Sequence, residues 1–386
     1  MLDFGYTDDQ IALRDSARRF AQAELPALAR KLEAEAEPLP HDWRERFAEM
    51  GFLGVNTGLE HGGLGLPLLD ALLVLEEFAK ISVAVAFPVF ECCTGPVRIV
   101  ERFGNPALKE RVVRQATEGS MLVAISMSEP DAGTALTDLR TKAVRQNGEI
   151  VIDGSKRWCS GAGHSEGYVV FCRFGDVQGA KGIGAVFVDR DTPGLSFGPP
   201  ESLMGFRGVP SADMMFDGVR VPESHLLVGP GGFASLMGVF NIERLGNATM
   251  ALGVAQGALD QVTAYVQERR QFGRPLAEFQ AVQIKLAEMA IKVEAARLLI
   301  HRAAAAAGTG LPPVRETAIA KCYANEMTRE VTGTALQLMG GYGYAEEYGM
   351  ERRFRDSYGW GIAGGAIDIQ KINIAADLIG RRFSQR

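Results

Sequence analysis

The sequence has no surplus of positive charge, few cysteines and no long apolar run. Its 41 lysine and arginine residues face 47 aspartate and glutamate residues, a net charge of −6, so a nucleic-acid partner is not expected. The five cysteines are scattered, with only Cys92 and Cys93 adjacent. This spacing fits neither a disulfide framework nor a metal site. These absences favour a reducing, cytoplasmic compartment.

A targeting segment is also not visible. The opening residues, MLDFGYTDDQ, show neither the basic region nor the apolar stretch of a secretory signal. No apolar run approaches the roughly 18 residues that a membrane-spanning helix requires. We therefore expect no membrane span, while peripheral association with a membrane stays open.

One segment near the C-terminus is depleted in side chains. Residues 355–370 read RDSYGWGIAGGAIDIQ, with four glycines and no acid between Asp356 and Asp368. Such a composition is typical of a place where another body approaches the backbone closely. It raises the question of what lies there and which residues supply the chemistry.

Hydrophobic periodicity divides the 386 residues into three parts. Residues 1–119 have helical spacing, and Thr7 with Gln10 fits a capping box at the first helix start. Residues 120–230 contain short segments rich in β-branched and aromatic residues, which predict a small antiparallel, barrel-like β-domain. Helical spacing returns over residues 231–386. The sequence thus predicts a mostly α-helical protein with a central β-domain.

The long helix expected over 231–268 carries a second feature besides its apolar stripe. At about 100° per residue, Glu243, Gly246, Met250, Gly253 and Gly257 share one face. Glycines in a helix cost about 1 kcal/mol each relative to alanine, so they require a reason. The periodicity leaves two interpretations open, a tight crossing with another helix or the close approach of a ligand.

Several segments together resemble the acyl-CoA dehydrogenase family, in its order and spacing and over essentially the whole chain. They are SMSEPDAGTALTDL (126–139), GSKRWCSG (154–161), ERRQFGRPLAEFQA (268–281) and QLMGGYGYAEEYGMERRFRD (337–356), with EHGGLGL (60–66) and MGFRGVPSADMMFDGVRVP (204–222). The resemblance implies an N-terminal helical domain, a middle β-domain and a C-terminal four-helix bundle. It also implies one FAD per subunit, usually a homotetramer, and introduction of an α,β double bond into an acyl thioester.

The resemblance also places the catalytic base. Most family members use a Glu in a Y-E-G-T-like segment near the C-terminus, and Gly364 stands at that position here. A smaller class, which includes isovaleryl-CoA and long-chain dehydrogenases, carries the base on an earlier helix in an L-E-R-L-like segment. FNIERLG (240–246) resembles that segment and puts Glu243 at the base position. The residues Gly364 and Gly365 would then leave space for the acyl chain, with Arg244 as a contact of the thioester ligand.

Two sets of flavin contacts follow from the same resemblance. One set would contact the flavin ring and pyrophosphate: Ser126, Met127, Ser128, Gly133, Thr134, Trp158 and Ser160. The other would reach the FAD diphosphate and adenine of a neighbouring subunit: Arg269, Gln271, Phe272, Gln337 and Gly341. An arginine suits a diphosphate because its planar fork donates two parallel hydrogen bonds. The expected partners are therefore a second copy of the chain, acyl-CoA and an electron-transferring flavoprotein.

Alternatives to this function stay open at the level of the sequence. The acyl group could be carried by a carrier protein instead of CoA. Relatives that reduce enoyl-CoA or hydroxylate through a flavin peroxide fit the base less well. Gly364 could also mark a non-catalytic subunit of a mixed oligomer, against which stand Glu243 and the second set of flavin contacts.

Overall fold

The first part of the chain is helical. The computed structural model describes residues 5–383. The capping box at its start is confirmed, because Thr7 Oγ1 accepts a hydrogen bond from the Gln10 amide at 3.2 Å and Gln10 Oε1 accepts one from the Thr7 amide at 3.1 Å. The helices of this part are α1 (Asp8–Glu35), α2 (His41–Glu49), α3 (Leu68–Ala79), α4 (Val83–Cys93), α5 (Val97–Phe103) and α6 (Pro106–Thr117).

The middle part forms one sheet. Its strands are β1 (Val123–Ser126), β2 (Lys142–Gln146), β3 (Glu149–Ser160), β4 (Gly167–Phe174), β5 (Ile183–Asp189), β6 (Leu195–Phe197), β7 (Ser211–Pro222) and β8 (Leu226–Val228). They follow the order β6-β7-β3-β2-β4-β5-β8, with β1 added beside β4. Most pairings are antiparallel, whereas β4 pairs with β1 and with β2 in parallel. The long β3–β7 ladder places Ser160 opposite Ser211.

The last part is again helical and includes the longest helix, α7 (Phe233–Glu268). After α7 come the hairpin strands β9 (Arg270–Gln271) and β10 (Arg274–Pro275) and the helices α8 (Gln280–Ala305), α9 (Val314–Met339), α10 (Gly341–Tyr344), α11 (Met350–Asp356) and α12 (Ile367–Ile379). Helix α9 packs against α7, α8 and α12, and α7, α8 and α9 share an apolar core. The predicted fold class is therefore confirmed, while the boundaries after residues 119 and 230 stay predictions.

The glycine face of α7 serves a helix crossing along most of its length. A Cβ on Gly253 would overlap the Ala79 side chain and lie 2.9 Å from the carbonyl oxygen of Glu76, both on α3. A Cβ on Gly257 would collide with the carbonyl oxygen of Lys80, immediately after α3. The first of the two interpretations of this face is therefore correct for Gly253 and Gly257.

This crossing gives a prediction about stability. Gly253→Ala should lower the free energy of unfolding by about 1–3 kcal/mol, because the added methyl meets backbone that cannot move aside cheaply. Gly333→Ala, in α9, is the matched control: its Cβ would lie 3.5 Å from the Phe354 ring. There the better helix propensity of alanine should raise stability, by up to about 1 kcal/mol. Denaturant unfolding of both variants checks the opposite signs, and equal effects would contradict the crossing.

One stretch of the chain has the length and mean hydropathy of a membrane span, contrary to the expectation from the sequence. It runs over Val83–Phe103, and the whole of its most apolar window is buried inside the fold. Thr94–Pro96 divides it into the helices α4 and α5, so it has the structure of two core helices. Among residues 5–383 it is the one stretch that meets the criterion.

Helix α8 has an apolar stripe on its outer surface. Ile284, Ile291 and Leu298 are 53%, 68% and 45% exposed and are spaced seven residues apart, so they lie along one side of the helix. We name these three residues the α8 stripe. A regularly spaced exposed apolar row marks a surface for contact with another protein.

Candidate active site

Glu243 lies near the N-terminal end of α7, buried beside α4 and α9. Its Oε2 atom accepts no hydrogen bond from any of the described residues, and the carboxylate forms no ion pair within residues 5–383. Burial raises the pKa of Glu243 to about 8, against the opposing charges of Lys321 and Arg244. This carboxylate therefore has no structural role in an ion pair with a neighbouring arginine among the described residues.

Lys321, on α9, is a buried cation whose charge acts on Glu243. It has no exposed surface, and its Nζ donates to the carbonyl oxygens of Ala363 and Gly365, the latter at 2.9 Å. Burial and the charge of Arg244 lower the pKa of Lys321 to about 7, although Glu243 opposes the change. The sequence analysis missed this residue; its one signal is a lysine within the apolar spacing of α9.

The glycine-rich loop between α11 and α12 is held by its carbonyl groups. Asn247 Nδ2 donates to the carbonyl oxygen of Trp360 at 3.2 Å, and Arg244 Nε donates to that of Gly364 at 3.4 Å. Gly364 and Gly365 have φ values of +66° and +89°, which favour glycine. The glycines thus allow a backbone turn that presents carbonyls to α7 and α9.

The surroundings of Gly364 are polar on the side where a side chain would point. A Cβ there would lie 3.1 Å from Lys321 Nζ and 3.4 Å from Asn247 Nδ2. The side of Gly364 where a Cβ would point is therefore already occupied by polar groups. If this loop contacts an acyl chain, it does so through its backbone atoms. The amide of Gly364 donates to none of the described residues, so it is available to a ligand.

Arg244 is positioned by groups other than a carboxylate. Its Nη1 donates to Asn241 Oδ1 at 2.8 Å, and its Cζ lies 5.1 Å from the centre of the Phe240 ring. Burial lowers the pKa of Arg244 to about 10, which still leaves the guanidinium charged at neutral pH. The residue therefore places a positive charge beside both Glu243 and the glycine-rich loop.

The first predicted flavin-contact segment and strand β3 are joined by a buried ion pair. Lys156, on β3, has no exposed surface, and its Nζ lies 2.9 Å from Glu129 Oε1. The same Nζ donates to the carbonyl oxygen of Met127 at 3.0 Å. The Arg157 amide donates to the carbonyl oxygen of Ser128 at 2.9 Å. This Lys156–Glu129 pair therefore holds residues 127–129 against β3.

Trp158 has the geometry of a residue that faces a ligand. Its φ is +61°, an uncommon value for a residue with a side chain, and its indole is 52% exposed. Strain of this kind is often found at functional sites. Ser160 is half-buried two residues further along β3, so both predicted contacts lie on the same strand as the Lys156 anchor.

The remaining members of this first set differ in accessibility. The Ser126 hydroxyl is buried and donates to Met214 Sδ at 3.2 Å, which leaves it turned into the sheet. Gly133 and Thr134 are exposed, and no atom lies within 4 Å of a Cβ built on Gly133. This open backbone is suited to the approach of a phosphate group.

The second predicted set gathers at the other end of α7. Arg269, Gln271 and Gly341 line one cavity of about 480 Å³, together with Tyr265, Leu276, Leu338, Met339, Gly340, Tyr342, Ala345 and Tyr348. The Arg269 Cζ lies 5.3 Å from the centre of the Tyr342 ring, and the guanidinium has no carboxylate partner within residues 5–383. Phe272 is 93% exposed with a φ of +52°. Gln337 is exposed in the last turn of α9 and lies outside the lining.

Glu243 and the second predicted set lie toward opposite ends of α7. At about 1.5 Å per residue, the part of α7 between Glu243 and its end at Glu268 spans roughly 38 Å. Arg269, which follows α7, is therefore far from Glu243 of the same chain.

Comparison with known proteins identifies the class. Models of the N-terminal, middle and C-terminal domains of acyl-CoA dehydrogenase match residues 7–120, 124–219 and 230–379. The chain therefore belongs to the acyl-CoA dehydrogenase family, and its fold is that of an oxidoreductase that acts on acyl-CoA.

Similar proteins cover the chain from end to end. It is 37% identical to the 3-sulfinopropanoyl-CoA desulfinase of Paraburkholderia xenovorans, over 99% of each chain. It is 33% identical to an acyl-CoA dehydrogenase of Bacillus subtilis, over 97% of this chain and 99% of the relative. The solved structure of butyryl-CoA dehydrogenase from Megasphaera elsdenii superposes with a TM-score of 0.94 at 31% identity, over 98% of this chain and 100% of the other.

Proposed function

We propose that this enzyme is an FAD-dependent dehydrogenase that introduces an α,β double bond into an acyl-CoA thioester, with Glu243 as the base. The observation that carries the proposal is the free carboxylate of Glu243, which is buried, lacks a partner and has a pKa raised to about 8. A general base works best when its pKa lies near the operating pH. Glu243 also belongs to the helix segment that the family resemblance assigns to the base.

The surroundings of Glu243 favour transfer of the α-proton. Its carboxylate is stabilised by the positive charges of Lys321 and Arg244, while burial favours the neutral acid that forms when the proton arrives. The two influences oppose each other and keep the proton affinity moderate. The free amide of Gly364 is the group that we assign to the thioester carbonyl, where negative charge develops during the reaction.

The proposed cofactor is FAD, which accepts the hydride from the β-carbon when bound. We assign its ring to the segment of Ser128, Trp158 and Ser160, since Trp158 is half exposed in a strained backbone conformation. We assign its pyrophosphate to the open backbone at Gly133 and Thr134. The Lys156–Glu129 pair holds these contacts in one rigid unit. Ser126 would contribute through its backbone, because its hydroxyl is directed to Met214.

We further propose that the second set belongs to the FAD of another copy. This assignment rests on the roughly 38 Å between Glu243 and the end of α7 and on the unpaired guanidinium of Arg269. The α8 stripe supplies an apolar surface for assembly into a dimer or tetramer. An electron-transferring flavoprotein is the proposed acceptor, and the cytoplasm the proposed location, where the five free, buried cysteines stay reduced.

An anaerobic titration of the purified protein with acyl-CoAs tests the proposed function. Straight, branched and ring-bearing saturated acyl-CoAs are added while the visible flavin absorbance is followed. Bleaching by at least one class supports both FAD and the dehydrogenase reaction. A flavin spectrum that no acyl-CoA bleaches, but that the same acyl group on a carrier protein does, would replace CoA by a carrier protein. A protein without flavin would contradict the proposal and favour a non-catalytic subunit.

A further inference from the structure

Helix α4 carries a buried carboxyl group, in addition to Glu243 on α7, that no motif in the sequence indicates. Glu91 is only 4% exposed and lies in a helix in which every other residue is buried and uncharged. Its Oε2 has no hydrogen-bond partner among the described residues, and it is folded back toward Gly95. A buried polar atom without a partner costs free energy, and in a native protein it calls for a missing partner.

Glu91 interacts electrostatically both with the proposed base and with the strand assigned to the flavin ring. On one side, the negative charge of Glu243 adds to burial in raising the pKa of Glu91 well above its usual range. On the other side, the charge of Glu91 contributes to the raised pKa of Cys159, which lies between Trp158 and Ser160. Glu91 is therefore within electrostatic range of both the helix that carries the base and the strand assigned to the flavin ring.

The neighbours of Glu91 on α4 extend this space. A Cβ on Gly246 would meet the Phe90 ring and the Thr94 hydroxyl, so this glycine of the α7 face is adjacent to the same region. The Phe90 ring lies 4.9 Å from that of Trp360 in the glycine-rich loop, and Trp360 Nε1 is also buried without a partner. Base, loop and α4 thus surround one region that contains several unpaired polar atoms.

Burial favours the neutral form of a carboxyl group, and a nearby negative charge favours it further. The charges of Lys321 and Arg244 oppose the rise in the pKa of Glu243, whereas no cation in the described part of the chain opposes the rise in the pKa of Glu91. The neutral form is therefore favoured at Glu91 without an opposing influence. A protonated carboxyl both donates one hydrogen bond and accepts others, so it suits an uncharged oxygen of a ligand.

We propose that Glu91 binds an uncharged hydrogen-bonding group, a hydroxyl or a carbonyl oxygen, on the acyl chain of the substrate. This inference rests on the proposed function and adds a substrate class to it. Because no cation among the described residues acts on Glu91 and a buried anion requires an opposite charge, acyl groups that end in a carboxylate or a sulfinate are excluded from the same place. The predicted substrates are acyl thioesters with a neutral oxygen substituent beyond the β-carbon.

The experiment compares acyl-CoAs that differ in one group. Pentanoyl-CoA, its 4-hydroxy and 5-hydroxy derivatives, 4-oxopentanoyl-CoA and glutaryl-CoA are tested with the holoenzyme for kcat/KM and, anaerobically, for flavin bleaching. We expect at least one oxygenated acyl-CoA to exceed pentanoyl-CoA by about tenfold or more, because it satisfies a buried polar atom. We expect glutaryl-CoA to be the poorest of the series.

Two variants and a control assign the preference to Glu91. Glu91→Leu should remove the preference for the oxygenated acyl-CoA over pentanoyl-CoA. Glu91→Gln, which keeps hydrogen bonding, should retain much of the preference. Cys92→Ala is the control, since Cys92 lies on the same helix but its thiol is directed to the carbonyl oxygen of Ala116. It should keep the preference of the wild type.

The possible failures are distinguishable. Oxidation of pentanoyl-CoA with no gain from any oxygen substituent overturns the role of Glu91 and leaves the proposed function intact. A preference that survives Glu91→Leu overturns it too, as does glutaryl-CoA as the best substrate. If no acyl-CoA in the series bleaches the flavin, the proposed function itself fails.

Discussion

Glu243→Gln should lower kcat by about 10²–10⁴-fold while the protein still binds FAD. General base catalysis by a positioned side chain typically contributes a factor of this size. Glutamine has nearly the same shape and removes only the ability to accept the proton. Since Glu243 forms no ion pair with any residue that the structure describes, the substitution leaves no new unpaired charge in contact with it, and folding should be little affected. Single-turnover reduction of the flavin by acyl-CoA measures the step directly.

The pH dependence of the wild type provides a second measurement of the same role. Glu243 must be ionised to accept a proton, and its pKa is raised to about 8. The value of kcat/KM should therefore rise with pH and level off above about 8. The residual activity of Glu243→Gln should not show this rise. Glu268→Gln, at the exposed end of the same helix, is the control and should behave as the wild type. Near-normal turnover of Glu243→Gln would remove this residue from the role of base.

Arg269→Ala should weaken FAD binding by about 10–100-fold. Hydrogen bonds to charged groups contribute about 1.5–3 kcal/mol, and the guanidinium of Arg269 has no carboxylate partner in the described part of its own chain. The ratio of flavin to protein after gel filtration, followed by titration of the apoprotein with FAD, measures the loss. Arg269→Lys keeps the charge but not the planar fork, so its affinity should be intermediate.

The neighbouring hairpin offers a matched control for this loss. Arg274→Ala also removes an exposed arginine, one whose Cζ lies 4.1 Å from the centre of the Phe279 ring. Because Arg274 is outside the cavity that Arg269 lines, it should retain FAD like the wild type. Full occupancy of Arg269→Ala, or equal losses from both variants, would contradict the assignment of Arg269 to a diphosphate.

Local patterns in the sequence were sufficient for the architecture. The capping box at Thr7, the long helix over 233–268 and the change to β-strands in the middle part depend on interactions between residues close in the chain. The purpose of the α7 glycines was different, because a tight crossing and a ligand face have the same periodicity. Only the position of α3 against Gly253 and Gly257 decides between them.

Candidate site residues could be predicted where a residue type belongs to a recognisable sequence segment. They could not be predicted where their importance depends on burial in the folded chain. The assignment of Glu243 rests on its resemblance to the base of a smaller class, and it stays a prediction. Glu91 lies in the apolar helix α4 and Lys321 lies in α9, which carries several other charged residues. Their sequence neighbourhood does not say which charged side chain is buried without an ion partner among the described residues. The sequence predicts that Gly364 leaves space for the acyl chain. It does not show that Lys321, which is distant in the chain, lies on the side where a Cβ of Gly364 would point.

The spacing of the α8 stripe has a geometric consequence for any pairing of two copies. Seven residues fall about 20° short of two full turns, so the row winds slowly around the helix. A partner helix that follows it must cross at a shallow angle, as in helix pairs with an angle of about 20°. If two copies pair about a two-fold axis through the middle of the row, Ile291 faces its own counterpart and Ile284 faces the second copy's Leu298. A charge placed at Ile291 would then be opposed by an identical charge, so one substitution would act twice.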